Sequence, residues 1–184
     1  MIKTYQRERL INSIVYFAKN TNYCGKTKLM KLLFYFDFYH FKKTGKTVTG
    51  LEYHAWPKGP VPKLLFEELS NMKPDMEKEI AIIQIERFQK IQAKKKFNSD
   101  NFTPHQLKLL EEIAFIFKEA KAEDMTEVTH LPNQPWHKTL TQKGKLAKID
   151  YLLALDGTKD CLCEEDAIEI MNEVSEMYDV FGTA

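Results

Sequence analysis

Lys28-Leu29-Met30-Lys31-Leu32-Leu33-Phe34-Tyr35-Phe36 is the stretch that decides the fold. Leu29, Leu32, Leu33, Phe36 and Tyr39 or His40 recur at helical spacing, and Phe34, Tyr35 and Phe38 cover much of the remaining circumference. A helix that is apolar nearly all round belongs at the centre of a domain, because none of its faces gains from meeting water. Leu29, Leu32, Leu33 and Phe36 are therefore core residues. Thr27 can cap this helix, since its hydroxyl can accept from a free amide of the first turn. Lys42 and Lys43 suit the negative end of the helix dipole, and Gly45 supplies a stop.

The flanking segments arrange themselves around that helix. Residues 4–20 form an amphipathic helix, with Leu10, Ile14 and Phe17 on one stripe and Ile11, Val15 and Ala18 widening it. Residues 46–61 are not helical. Val48 can start a short strand, and 51–55 alternates as a second one. Pro57, Gly59 and Pro60 enforce a turn. Pro62 suits the first position of a further helix, with Leu65, Leu69 and Met72 inward and Pro74 as its end. Residues 79–97 fit two readings: Ala81, Ile83 and Ile85 alternate as in a strand, and Ile85, Phe88 and Gln92 could share a helix face; the isoleucine density and weak helical stripe favour strands. Thr103-Pro104-His105-Gln106 carries a capping box that opens a helix over Leu107, Leu110, Ala114 and Phe117. A short helix at 122–129 follows, interrupted by Pro132 and Pro135 before Trp136. The last helix opens at Glu164-Glu165-Asp166, three carboxylates that favour a helix N-terminus, and its stripe is Ala167, Ile170, Met171, Val174 and Tyr178. The expectation is a mainly α (α+β) single domain over 1–184. It is a bundle of five or six helices around a central buried one, with a small antiparallel β element and an acidic helical extension at 150–184.

The 184 residues suffice for one domain with a proper core. Hydrophobic residues make up 43% and charged residues 29%, as expected of a globular chain, and no run approaches the roughly 20 apolar residues that span a bilayer. Met1 to Tyr5 lead straight into a charged segment without the features of a secretory signal, so a cytoplasmic location is expected and no membrane partner. Cys24, Cys161 and Cys163 make a poor disulfide framework and a weak metal signal; reduced thiols are expected. The net charge of +1 is unevenly spread: residues 1–63 hold 12 Lys/Arg against 3 Asp/Glu, and residues 64–184 hold 15 against 23. Such a split suits charge-steered docking to a partner, or two solvated faces of opposite sign. Both readings stay open.

Few residues point to chemistry. His40, His54, His105, His130 and His137 form no H-E-x-x-H or comparable ligand pair. Neither a G-x-S-x-G elbow nor a phosphate loop is present; Gly25-Lys26-Thr27 resembles the end of the latter, but Asn20 stands where its first glycine belongs. No catalytic residue, metal site or cofactor is expected. Arg87, Lys90, Lys94, Lys95 and Lys96, with Phe88 and Phe97 interleaved, could track a phosphate backbone. They could equally be a solvated strand edge whose lysines block aggregation.

Three segments combine into a recognisable order: Lys28 to Phe36; then Ala55-Trp56-Pro57-Lys58-Gly59-Pro60-Val61-Pro62; then Thr129-His130 and, after Leu131 to Gln134, Pro135-Trp136. The chain resembles the Panacea domain, or SocA-like antitoxin family, across roughly residues 27–140. That family's pattern is a Lys-Leu-rich aromatic helix, an Ala-Trp-x-x-Gly-Pro-Val turn and a late Thr-His and Pro-Trp segment. Lys58 departs from it, standing where the family often has a bulky residue, and the acidic tail from Asp150 lies outside the strongest match. The resemblance implies a phage-associated or bacterial antitoxin that neutralises a cognate protein toxin by direct contact, or an adaptor that delivers the toxin to a Clp-type protease. A nucleic-acid-binding regulator using the basic cluster is the alternative. The partner-binding candidates are Trp56, Lys58, Gly59, Pro60, Val61, His130 and Trp136. A turn stiffened by two prolines and carrying a large aromatic makes a good anchor, although the tryptophans could instead fill the core.

Overall fold

The structure is a computed structural model that describes the backbone of residues 2–86 and 88–181. Helices α1 (Ile2–Asn20) and α2 (Lys26–Thr44) lead into a tight hairpin of β1 (His54–Trp56) and β2 (Gly59–Val61). Two short helices, α3 (Lys63–Glu68) and α4 (Pro74–Glu79), precede a second hairpin of β3 (Ile80–Ile85) and β4 (Phe88–Ala93). Then come α5 (Pro104–Ile116), α6 (Ala122–Thr129), α7 (Pro135–Lys143), a 3-10 turn (Tyr151–Ala154) and α8 (Glu164–Phe181). Both two-stranded sheets are antiparallel, with Ala55 opposite Pro60 and Ile82 opposite Ile91. Mainly α with a small β element is therefore the architecture, and α2 is its axis. Thirteen of the 19 residues of α2 are buried.

Four readings of the sequence need correction. Thr27 does not cap α2; Gly25 is the N-cap, and its backbone is already engaged in a bridge to Lys90. Val48 starts no strand, because its amide and that of Thr49 both donate to the Asp37 carboxylate at 2.9 Å instead of to a neighbouring strand. The strand expected at 51–55 shrinks to His54–Trp56, since its partner ends at Val61 opposite His54, where Pro62, without an amide, starts α3. Two prolines read as ending or interrupting helices stand instead at helix starts: Pro74 and Pro135 occupy the first turns of α4 and α7, while Pro62, expected at the first position of α3, is its N-cap. Proline has no amide to lose at that position and its φ is already helical. These short helices raise the total to eight among the described residues.

What holds the bundle in register is a set of polar side chains on α2, each answered by a different segment. At its start, the buried Lys28 ammonium donates to the carbonyls of Asn22 (2.6 Å), Phe117 (2.7 Å) and Ala120 (2.6 Å). It thereby supplies the C-terminal end of α5 with the cation that its exposed carbonyls favour. Near the end of α2, His40 Nδ1–H donates to the Lys46 carbonyl at 2.7 Å, and Nε2 accepts from the Gln106 side-chain amide at 3.3 Å. Gln106 belongs to the capping box of α5, whose Thr103 hydroxyl accepts from the Gln106 amide. Helices α2 and α5 are thus pinned antiparallel at both ends. In between, Asp37 accepts from the amides of Val48 and Thr49, the Thr49 hydroxyl and the Tyr53 hydroxyl. Burial pushes the Asp37 carboxyl above its ordinary range, and the four donors oppose that push.

The acidic segment packs against the far end of α2. Ile170 lies over Gly45, the left-handed C-cap of α2 (φ 66°), Lys42 pairs with Asp156 at 2.6 Å, and the Leu162 amide donates to the Lys42 carbonyl. Ala167 is fully buried and Ile170, Met171, Val174 and Tyr178 are half-buried, so the stripe of α8 faces inward.

Two outcomes follow. Asp37→Ala strands two buried amides and a buried phenol, and should cost about 3–5 kcal/mol. On a chain of this size that lowers the melting temperature by roughly 10 °C, as calorimetry would read. His40 is held neutral by burial, with its pKa lowered to about 4. A histidine with a depressed native pKa stabilises the fold above its unfolded value of about 6.5, and that contribution is lost as pH falls toward 4. Urea midpoints should therefore drop between pH 6.5 and 4, and His40→Asn should flatten that slope.

Candidate partner-binding site

The β1–β2 hairpin turns within Pro57-Lys58, because Trp56 pairs directly with Gly59. Gly59 has φ +123°, a conformation closed to residues with a side chain, and a Cβ there would lie 3.0 Å from Lys31 Cε. Two further segments brace the hairpin. The Ala55 amide donates to the Ala147 carbonyl, and Leu146 donates back to Ala55. Trp136 at the start of α7 donates its indole N–H to the Trp56 carbonyl at 2.9 Å. His130, at the C-cap of α6, stacks flat on Trp136 with centroids 3.7 Å apart and planes 6° from parallel. Burial, followed by the charge of nearby Lys31, lowers the His130 pKa, and its Nε2 has no hydrogen-bond partner.

The three motifs that stood apart in sequence therefore meet at one place. Lys31 comes from the helix motif, Trp56 and Gly59 from the turn, and His130 and Trp136 from the late segment. Their roles divide by burial. Gly59, Pro60 and Trp136 are buried and give the elbow its shape, while Trp56, Lys58 and Val61 line its surface. Trp56 packs its ring against Phe66 of α3 at 5.2 Å, and between them opens a largely apolar pocket of about 370 Å³ with Met30, Lys31, Lys58 and Val61 around it. Phe66 and Lys31 are the contributors that sequence reasoning missed. A lysine on a helix expected to be buried all round was the available signal for Lys31. Phe66 gave none, since it falls outside the α3 stripe.

The basic cluster lies elsewhere. Arg87 falls outside the described residues. Lys90 sits half-buried on β4, and Lys94, Lys95 and Lys96 follow the strand in the open, with Lys94 donating to the Glu77 carbonyl at 2.7 Å. Histidines, cysteines and carboxylates do not gather in threes at metal-binding distance among the described residues. No described helix is long and apolar enough to cross a membrane.

Gly59→Ala tests the elbow. Forcing a side chain into φ +123° against Lys31 should cost about 1–3 kcal/mol, seen as a fall of several degrees in melting temperature. An unchanged melting temperature would show that the elbow relaxes freely.

No curated protein and no solved structure matches this chain. A family model does: the antitoxin SocA-like, Panacea domain, matched over residues 29–137, a span that runs from α2 through the elbow to the Trp136 segment. That span holds the turn, the Trp136 segment, the helix motif from Leu29 onward and most of the core, and the chain belongs to the SocA-like, Panacea-domain antitoxin family.

Proposed function

We propose that this chain is the antitoxin of a toxin–antitoxin pair, acts in the cytoplasm, and neutralises its cognate toxin by holding it, with no bond-making step of its own. Membership of the antitoxin family supports the role. The observation that carries the contact mode is the elbow: a hairpin shaped by a glycine at φ +123° and held by the Trp136–Trp56 hydrogen bond presents Trp56 beside an apolar pocket. An aromatic held on rigid backbone loses little conformational freedom on docking, which is what an interface anchor requires. Delivery of the toxin to a Clp-type protease would use the same grip, with degradation as a later step. The segment from Lys90 to Lys96 offers weaker support for nucleic-acid binding, because Lys94 is already engaged with backbone.

Co-expression with the product of the adjacent open reading frame is the test. That product alone should arrest growth, and this chain should relieve the arrest and co-purify with it. Trp56→Ala should weaken the complex by tenfold or more while the protein stays folded. A harmless neighbour, or relief without a complex, would remove the proposal. Toxin levels that fall with the antitoxin present, and recover in cells lacking the protease, would identify the delivery route. Retardation of DNA that weakens steeply with added salt would favour the nucleic-acid reading instead.

A further inference from the structure

Lys28 and Lys31 lie one turn apart on α2 and are both withdrawn from solvent, with relative exposures of 0% and 1%. Their ammonium groups meet opposite fates. Lys28 is answered by backbone carbonyls from Asn22, Phe117 and Ala120. Lys31 has no hydrogen bond and no ion pair among the described residues; it runs beneath Gly59 and ends at the pocket beside Trp56. Glu123, an exposed residue of α6, is the carboxylate whose field it feels most, and Lys58 opposes that field. Desolvation brings its pKa down to about 8, so at neutral pH the charge is largely present and poorly solvated.

An ammonium largely withdrawn from water without a partner is costly to the fold, and a methionine of similar length would fill the same space without that cost. The group is therefore an acceptor's partner held in waiting. The pocket around it says which kind. Met30, Trp56, Val61 and Phe66 give apolar walls, Lys31 and Lys58 are its charged groups, and no Asp or Glu lines it. A phosphate-bearing partner would want several exposed cations and little apolar wall; this pocket offers the reverse. We propose that Lys31 receives a carboxylate, and that the occupant of this pocket is a toxin segment carrying an acidic side chain flanked by apolar residues. This rests on the antitoxin reading for the identity of the partner, and on the pocket alone for its chemistry. A charge-assisted hydrogen bond made inside an apolar pocket is stronger than one made in water, so one carboxylate can set the register of the whole segment.

The test uses the full chain as wild type, Lys31→Met and Lys58→Glu. The probes are the acetylated and amidated peptide Gly-Leu-Glu-Phe-Gly, its counterpart with Gln for Glu, and Gly-Leu-Phe with a free C-terminal carboxylate. Binding is followed by the indole N–H resonance of Trp56, assigned with Trp56→Phe. The Glu peptide should shift that signal saturably, and the Gln peptide should bind at least tenfold more weakly. Lys31→Met should erase the difference while melting no lower than wild type. Lys58→Glu, on the exposed rim, should weaken the Glu peptide in a fold that is unchanged. Equal binding of the two peptides, or a preference that survives Lys31→Met, overturns the proposal. So does tighter binding of the free-carboxylate peptide, which would make the pocket a reader of chain ends, or a Lys31-dependent dimer, which would make the occupant a second copy. In cells, equal neutralisation by wild type and Lys31→Met sinks the pocket assignment and leaves the antitoxin reading standing. Failure of both to neutralise sinks that reading, and the peptide measurements still decide the pocket.

Discussion

A helix as buried as α2 needs its charged and hydrogen-bonding groups answered, and Lys28, Asp37 and His40 are answered from inside the protein. That constraint on α2 organises the rest of the molecule. Leaving a buried charge or amide unanswered costs several kcal/mol, a large share of any domain's net stability. The segments that answer Lys28, Asp37 and His40 are consequently held in one arrangement. They are the end of α5, the loop over Val48 to Tyr53, and the start of α5. Apolar packing alone would tolerate a slip of these segments along α2, because one leucine contact resembles another. The hydrogen bonds do not tolerate it.

The elbow inherits its position from this arrangement. The chain leaves Asp37's donors at Tyr53 and enters β1 at the next residue, so the hairpin starts from a fixed point. From the other side, Trp136 ties the carbonyl of Trp56 to α7. The indole N–H of a buried tryptophan needs an acceptor, and spending it on the hairpin backbone turns a core residue into a brace. Of the two tryptophans, one is a core residue and the other lines a pocket. Trp136 is the first, placed in a way that leaves Trp56 at the pocket.

Much of this was legible in the sequence, and the remainder was hidden for physical reasons. The unbroken apolar circumference of Leu29 to Phe38 revealed the central helix, and the Thr103–Gln106 capping box marked the start of α5. The elbow and its three motifs were visible as ordered segments. Periodicity could not show that Val48 and Thr49 spend their amides on a side chain eleven or twelve residues earlier, because that choice is made by tertiary structure. Short proline-initiated helices were missed because the same residue that ends one helix begins the next. Asp37 and Lys31 carried a signal that pattern reading averages away. A charge inside an otherwise apolar helix has to find a partner, and its identity says where to look.

The uneven charge acquires a spatial meaning from the same helix. The pocket draws on the first turns of α2, while Ile170 of the acidic α8 sits over Gly45 at its other end. Fourteen residues of helix separate Lys31 from Gly45 in sequence, about 20 Å at the usual rise. That exceeds the roughly 8 Å over which exposed charges act at physiological salt. The acidic helix therefore packs at the end of α2 that carries Lys42 and Lys43, well along the helix from the pocket's lysines. On the proposed reading, Lys31 and Lys58 would steer an acidic segment of the toxin toward the pocket before any apolar contact forms. On that same reading, the braced backbone of Trp56 lets the apolar contact follow with little loss of freedom.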